Sequence, residues 1–392
     1  MDQLVRANAY FDARSCHIDD FEKLISRTLH QEDAPHAKRI VANVPVYEVA
    51  DLGEHLAGVE GRRALMAEWA SVLKDKSGVL VLEGAYADTG PIDRASAVYE
   101  QVIAEEKARS AGGADHFAAA GANDRVWNSL QKLCLRAPDV FADYFANRAI
   151  DTVCEAWLGP NYQMTAQVNL VRPGGQAQQA HRDYHLGFQS EETCALYPAH
   201  VHDLSPVMTL QGAVAHTDMP VESGPTKLLP FSQRYRPGYA AYRLEAFKNL
   251  FEERCVQLPL AKGDAVFFSP ALFHAAGANT SSDIQRMANL LQVSSAFGRA
   301  METVDRQTMC KALYPVLLAR VAKGDLGRSS LLATVSACAE GYSFPTNLDR
   351  DPPVGGLAPE TQKQLFLRAL EEGMSADAFE TALNAQQDRR RA

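Results

Sequence analysis

The chain has 392 residues, 46% of them hydrophobic and 22% charged, which suits a packed core in one large domain or two modest ones rather than disorder. The 48 Asp and Glu outnumber the 39 Lys and Arg, giving a formal net charge of −9. A diffuse acidic surface argues against nucleic-acid binding as the main task, because phosphate contacts need concentrated basic residues. No run approaches the roughly 18 apolar residues of a membrane span. The opening MDQLVRANAYFDARSC lacks the basic-then-apolar pattern of a secretory signal. Seven scattered cysteines, an odd number without a CxxC pair, read as free thiols in a reducing cytoplasm.

Three zones of one catalytic domain, 1–392, follow one another. Residues 1–160 read as mainly helical with one leading strand. Leu65, Met66, Trp69, Val72 and Leu73 fall at helical spacing within 60–74, and Gly78 follows. GVLVLEGAY (78–86) predicts a buried strand, and a helix is expected over 91–108. A Gly- and Ala-rich loop is expected over 111–123, then two helical stretches that Gly159-Pro160 closes. Residues 161–298 change character. YQMTAQVNLV, VMTLQGAVAHT, TKLLPF, DAVFFSP and MANLLQVSSAF read as short strands between turn residues, the mark of a sandwich or barrel. Residues 299–392 read as a helical extension, with Ser375 as N-cap of a final helix. That extension is read as a cover for the barrel or as a homodimer interface. The cluster Arg389, Arg390 and Arg391 reads as a solvated, frayed tail.

QQAHRDYHLGF places His181 and Asp183 two residues apart, so an extended backbone puts both on one face. Two imidazoles and one carboxylate leave positions open on a metal, as iron(II) oxygenases require. FSPALFHAAGAN offers His274 as the second imidazole. A lone HxD also arises by chance, and a lone strand histidine is commonly a hydrogen-bonded core residue. His181 and His185, four apart, could instead bind zinc on a helix. The absence of an intervening Glu and the flanking Gly174, Gly175 and Gly187 speak against that. Arg286 comes twelve residues after His274 in a largely apolar strand, IQRMANLLQVS. A buried arginine needs an anion, here either a structural Asp or Glu or a bound dicarboxylate. Arg182 should point away from the metal by strand alternation and pair with an acid.

The order HRD, VESGPTKLLPFSQRY, LAKGDAVFFSPALFHAAGAN, IQRMANLLQVS resembles the phytanoyl-CoA dioxygenase family of iron(II)/2-oxoglutarate oxygenases over roughly residues 76–298. Glu222-Ser223-Gly224-Pro225, Pro230-Phe231-Ser232-Gln233 and Gly263-Asp264 stand where that family has its turn signatures. The resemblance implies an α+β protein built on a double-stranded β-helix, a jelly-roll or cupin-like barrel, with N- and C-terminal helices. It implies Fe(II) on His181, Asp183 and His274, and dioxygen and 2-oxoglutarate as co-substrates. Arg286 would hold the distal carboxylate of 2-oxoglutarate, and Gln167 stands where a co-substrate contact is common. Asp183 speaks against halogenation, since halogenating relatives carry a small residue there. Ala276 and the PFSQ turn depart from the family pattern at co-substrate contacts, with Thr226 and Ser294 as alternative sources of the lost hydroxyl.

His216, His185 and Trp127 are candidate substrate contacts, each set against an ordinary packed role, and Asn128 lies beside Trp127. The expected partner is a small-molecule metabolite rather than a nucleic acid or a membrane, and no basic patch near the motifs suggests an acyl-CoA. The outcome implied is hydroxylation with release of succinate and CO2. Two other readings keep the ligands: a cupin-type metalloenzyme that does not use 2-oxoglutarate, and a non-catalytic small-molecule-binding barrel.

Overall fold

The computed structural model describes residues 9–109 and 123–392; the loop expected over 111–123 falls, apart from Asn123, outside the described residues. Among the described residues ten strands run in chain order: β1 (Arg39–Val41), β2 (Val44–Glu48), β3 (Val79–Glu83), β4 (Asn123–Val126), β5 (Gln163–Val171), β6 (Thr209–Ala215), β7 (Lys227–Leu229), β8 (Ala265–Phe268), β9 (Phe273–Ala275) and β10 (Arg286–Ser294). Eight form one mixed sheet in the order β1-β2-β3-β8-β6-β10-β5-β4, and β7 pairs with β9 in a second sheet. Only β2 and β3 pair in parallel.

Strand alternation divides the large sheet into two faces. Leu80, Leu82, Leu210, Val214, Phe267, Leu291 and Val293 turn to a core shared with the helices. Val79, Val81, Ala213, Ala215, Val266, Phe268 and Ala288 turn the other way into a second cluster, which Leu228 of β7 joins. Each fully buried Leu or Phe contributes about 2–3 kcal/mol, so a one-residue slip of any central strand is strongly disfavoured. The second sheet alternates too. Leu229, Phe273 and Ala275 pack outward against Phe21, Phe247 and Phe251, while Leu228 and His274 face inward. Isolated bridges His181↔His274 and Leu228↔Val256 widen this sheet on both sides.

The helices Val59–Asp75 and Gly90–Arg109 match the expectation, and Trp69, Val72 and Tyr99 are their buried anchors. Residues 1–160 hold more strand than expected. β1, β2 and β4 are short, β2 contains Pro45 and β4 reads NDRV, so none shows an apolar alternation. Three helices, not two, lie between β4 and Gly159: Ser129–Arg136, Pro138–Tyr144 and Arg148–Leu158.

The helical extension packs behind β5. Arg306 is buried there and donates to Met164 O at 2.8 Å, Ala337 O at 3.3 Å and Cys338 O at 3.1 Å. Tyr314 stacks on Phe379 with ring centroids 4.0 Å apart. Ser375 caps the last helix through Ala378 N, as expected. The basic cluster is not a frayed tail: the helix runs through Arg390, and Arg389 Nε lies 3.1 Å from Asp351 Oδ1. All seven cysteines are free, five of them buried. Among the described residues no helix is long and apolar enough to cross a membrane.

Candidate metal centre

The inner faces of both sheets line one cavity of about 450 Å³. His181, Asp183 and His274 stand on its wall, with ligand atoms all within 4.8 Å of one another. Main-chain pairing sets the two histidines: His181 N donates to His274 O at 3.0 Å and His274 N to His181 O at 3.2 Å. Asp183 N donates to Pro270 O at 3.0 Å, which fixes the third ligand to the same loop.

The ring nitrogens are already assigned by their surroundings. His181 Nδ1 faces Gln179 O at 2.9 Å and His274 Nδ1 faces Leu272 O at 2.8 Å. A carbonyl only accepts, so both Nδ1 atoms carry the proton and both Nε2 atoms present lone pairs. These lone pairs point at Asp183: His274 Nε2 is 3.3 Å from Oδ2 and His181 Nε2 is 3.6 Å from Oδ1. Acceptors gathered at such distances call for a cation among them. The donor set therefore fits a divalent transition metal, with two imidazoles and one carboxylate on one side of it. Burial lowers the His181 pKa, and His274 beside it adds to this, which keeps the imidazole neutral for a metal. Burial works to raise the Asp183 pKa; the neighbouring His274 and His181 rings and the Gln211 amide overturn it, and the carboxyl lies below the ordinary carboxylate range.

Arg182 does point away from this centre, but not to an acid. It donates to Ser232 O at 2.7 Å and Tyr235 O at 2.9 Å, and lies over the rings of Tyr239 and Phe273 at 5.1 and 5.2 Å. Gly238 makes room for it, since a Cβ there would meet Arg182 Cζ at 1.9 Å. His185 is exposed, in a short 3-10 turn, with Nδ1 3.3 Å from Ser205 Oγ. It belongs neither to the ligand group nor to the cavity wall, so the zinc pairing with His181 does not occur.

Arg286 opens β10 on the cavity face and is 7% exposed. Its one hydrogen bond among the described residues goes to Ser223 O at 3.2 Å, and no carboxylate there lies within ion-pair distance. Burial alone lowers its pKa, to about 10. Of the two anions weighed for it, a structural acid is not found. Thr226 lines the cavity and Ser294 does not.

Trp127 and Gln167 line the cavity as well. The Gln167 amide is engaged at both ends: Arg125 Nη1 donates to its Oε1 at 3.0 Å, and its Nε2 donates to Gln292 Oε1 at 2.8 Å. His216 is on the opposite face of the sheet, so its expected place in the pocket is corrected. It is 3% exposed, with Ser96 Oγ 2.8 Å from Nδ1 and Tyr144 Oη 2.8 Å from Nε2. Burial, with Lys262 nearby, lowers its pKa to about 3. Strand alternation carries this outcome, because residue 216 has the parity of Leu210 and Val214, not of Gln211.

Gln211, Gln292, Arg125, Phe188 and Met301, which the sequence patterns do not single out, also line the cavity. Gln211 Nε2 donates to Asp183 Oδ2 at 2.5 Å. The signal was present for two of them. Gln211 is the single amide in an apolar strand, and Gln292 shares the face of Arg286 by alternation.

Two imidazoles, one carboxylate and a buried arginine without a carboxylate partner among the described residues share a single cavity, a candidate mononuclear metal centre of the facial-triad type with room for an anionic co-ligand. The chain belongs to the phytanoyl-CoA dioxygenase family: residues 75–288 match its description, Phytanoyl-CoA dioxygenase (PhyH). It is 28% identical to Dioxygenase andF of Emericella variicolor over 141 residues, 34% of this chain and 43% of that protein, so the match spans under half of the relative's length. Among solved structures it is similar to the non-heme alpha ketoglutarate dependent epimerase SnoN from nogalamycin biosynthesis (20% identity, 60% of this chain and 84% of that one, TM-score 0.40). It is similar also to the carbocyclase SnoK from the same biosynthesis (21% identity, 58% and 83%, TM-score 0.42). A third is AviO1 from Streptomyces viridochromogenes Tue57 (16% identity, 60% and 97%, TM-score 0.43).

Proposed function

We propose that this chain is an iron(II)/2-oxoglutarate-dependent dioxygenase that hydroxylates a small-molecule metabolite and releases succinate and CO2. The observation that carries the reading is Arg286: a buried cation without a carboxylate partner among the described residues, facing the same cavity as the triad. A cupin-type metalloenzyme without 2-oxoglutarate has no use for that charge, and a mere binding barrel has no use for three converging ligands.

The architecture supports a double-stranded β-helix, since two antiparallel-rich sheets turn their inner faces to one cavity. His181, Asp183 and His274 would hold the iron, and Arg286 the distal carboxylate of 2-oxoglutarate. When bound, the metal and co-substrate supply dioxygen activation coupled to oxidative decarboxylation, with one oxygen atom entering a substrate C–H bond. The chain's own part is positional. The carbonyls of Gln179 and Leu272 keep the Nε2 lone pairs of both histidines directed inward. Gln211 holds one oxygen of Asp183. Leu228, Leu258, Leu260 and Phe268 give the cavity an apolar wall that excludes water. Trp127 and Gln167 stand on the wall as candidate contacts. The free thiols support a cytoplasmic setting.

The test is a metabolite screen that reads succinate release above the uncoupled background, run in parallel with Arg286→Ala. Substrate-dependent succinate that the variant loses at low 2-oxoglutarate supports the reading. Turnover that needs no 2-oxoglutarate would favour the cupin-type alternative.

A further inference from the structure

Arg286 stands where three segments close one end of the cavity. Its Nη1 donates to Ser223 O at 3.2 Å, which ties it to the segment 223–226. Its main chain is paired with Val171 of β5, whose carbonyl accepts from Asn279 Nδ2 at 3.1 Å. Asn279 is laced to the segment 174–178: Gly174 N donates to its carbonyl and its own N–H to Gly175 O, both at 2.9 Å. Residues 276–278, which follow β9, lie between these two segments. On one side Gln178 N donates to Ala276 O at 2.9 Å. On the other side Gly277 is so close to Pro225 that a Cβ on it would meet Pro225 O at 2.7 Å.

Each segment brings one polar side chain to the cavity wall that Arg286 lines, Gln178 from one and Thr226 from the other, and Ala276 between them adds only a methyl group. The Gln178 amide has its orientation set. The N–H of Ala276 can only donate, so the side-chain atom 3.3 Å from it is the carbonyl Oε1. The NH2 group is left over. It has no hydrogen-bond partner among the described residues, yet it is not one of the orphaned atoms sealed inside the protein, and so it keeps surface that a ligand atom can reach. Arg286 and this NH2 group can only donate, and the Thr226 hydroxyl is able to. Asp183, at the metal site, is the one carboxylate on the cavity wall among the described residues. The acceptor for these donors therefore arrives with a ligand, and a carboxylate can accept from all of them at once.

We propose that Gln178 is a specificity-determining residue for the co-substrate: its NH2 group donates to the distal carboxylate of 2-oxoglutarate beside Arg286. The inference rests on the dioxygenase reading, which supplies the dicarboxylate. The Ala276 N–H holds the amide from behind, so the donor is aimed before the ligand arrives and little order is lost on binding. Gln178 is three residues before His181, and Ala276 is two after His274, so the carboxylate site is built on the same two segments as the metal ligands. Gln178 thereby adds selectivity for a diacid over a 2-oxo acid that lacks the second carboxylate.

The experiment uses the full chain loaded with zinc(II), which supports no turnover. Calorimetric titrations compare 2-oxoglutarate with 2-oxopentanoate, which keeps the chelating 2-oxo acid and ends in a methyl group. Gln178→Met keeps the length of the side chain and removes the amide. It should weaken 2-oxoglutarate about tenfold or more and leave 2-oxopentanoate unchanged. In crystals of the zinc–2-oxoglutarate complex, Gln178 Nε2 should lie within hydrogen-bond distance of the distal carboxylate. Equal weakening of both acids marks a structural loss and overturns the proposal. So does an unchanged affinity for 2-oxoglutarate, or a carboxylate held by Arg286 with the Gln178 amide turned elsewhere. The crystal structure needs no variant and so decides even if Gln178→Met does not fold. Zinc-loaded protein of the natural sequence that binds no 2-oxoglutarate rejects the dioxygenase reading and this inference together; binding that is indifferent to Gln178→Met rejects the inference alone.

Discussion

His181 and His274 hold each other by their main chains, exchanging N–H···O bonds of 3.0 and 3.2 Å, so that their rings sit with centroids 4.4 Å apart. The spacing of the two imidazoles is thus a property of backbone pairing and not of side-chain packing. Replacing either imidazole leaves that pairing in place. His181→Ala and His274→Ala should therefore keep their fold and lose iron. Metal content after anaerobic loading should fall close to the background of apo protein, while the melting temperature shifts by no more than a few degrees. A His181→Ala protein that retains a full equivalent of iron contradicts the assignment.

Arg286 has no carboxylate partner among the described residues, so its loss removes charge-assisted hydrogen bonds to a ligand rather than a structural pair. Such bonds contribute about 1.5–3 kcal/mol, or roughly 10- to 100-fold. Arg286→Ala should raise the 2-oxoglutarate concentration needed for half-saturation by about that factor and leave iron binding unchanged. A large fall in stability with no change in co-substrate affinity marks a structural arginine instead.

Arg182 is packed against Gly238, and a Cβ at 238 would overlap its guanidinium. Because Arg182 lies between two metal ligands, the strain reaches the triad. Gly238→Ala should cost about 1–3 kcal/mol of stability by overpacking and weaken iron binding as well. Urea denaturation and metal titration read the two effects. Unchanged stability shows that the guanidinium has another place to go.

His216 is buried neutral, with a pKa lowered by burial to about 3. The unfolded chain binds a proton near pH 6.5 and the folded chain does not. Its contribution to stability is therefore full above pH 6.5 and is lost progressively as the pH falls towards 3. Between pH 7.5 and pH 5 this amounts to about 2 kcal/mol. His216→Gln keeps a donor and an acceptor for Ser96 and Tyr144 but does not titrate. Denaturant unfolding at the two pH values should show that much less acid destabilisation in the variant; an equal slope in both proteins removes His216 as the cause.

The ligands were legible because a tripeptide, a distant histidine and an arginine occur in a fixed order, and the large strands because their apolar residues alternate over five to nine positions. What escaped had no such period. β1, β2 and β4 are three to five residues long and are held by their neighbours in the sheet. His216 looked like a pocket residue because it follows a barrel strand, yet its parity along β6 sends it into the helical core beside Tyr144. The Arg182 site was unreadable for another reason: its partners are carbonyls and rings brought from residues 232–239 and 273, and nothing in HRD announces them. Gln211 and Gln292 take on meaning only once β6 and β10 are known to be neighbours.

The most direct test of the central claim is an anaerobic titration of the metal-free protein with iron(II) and 2-oxoglutarate, followed by visible absorption. A weak metal-to-ligand charge-transfer band should appear only when both are present, and should be absent in His181→Ala. No band in a folded protein that has bound iron contradicts the account, because a metal on this triad would then not be chelated by the 2-oxo acid that Arg286 is argued to hold.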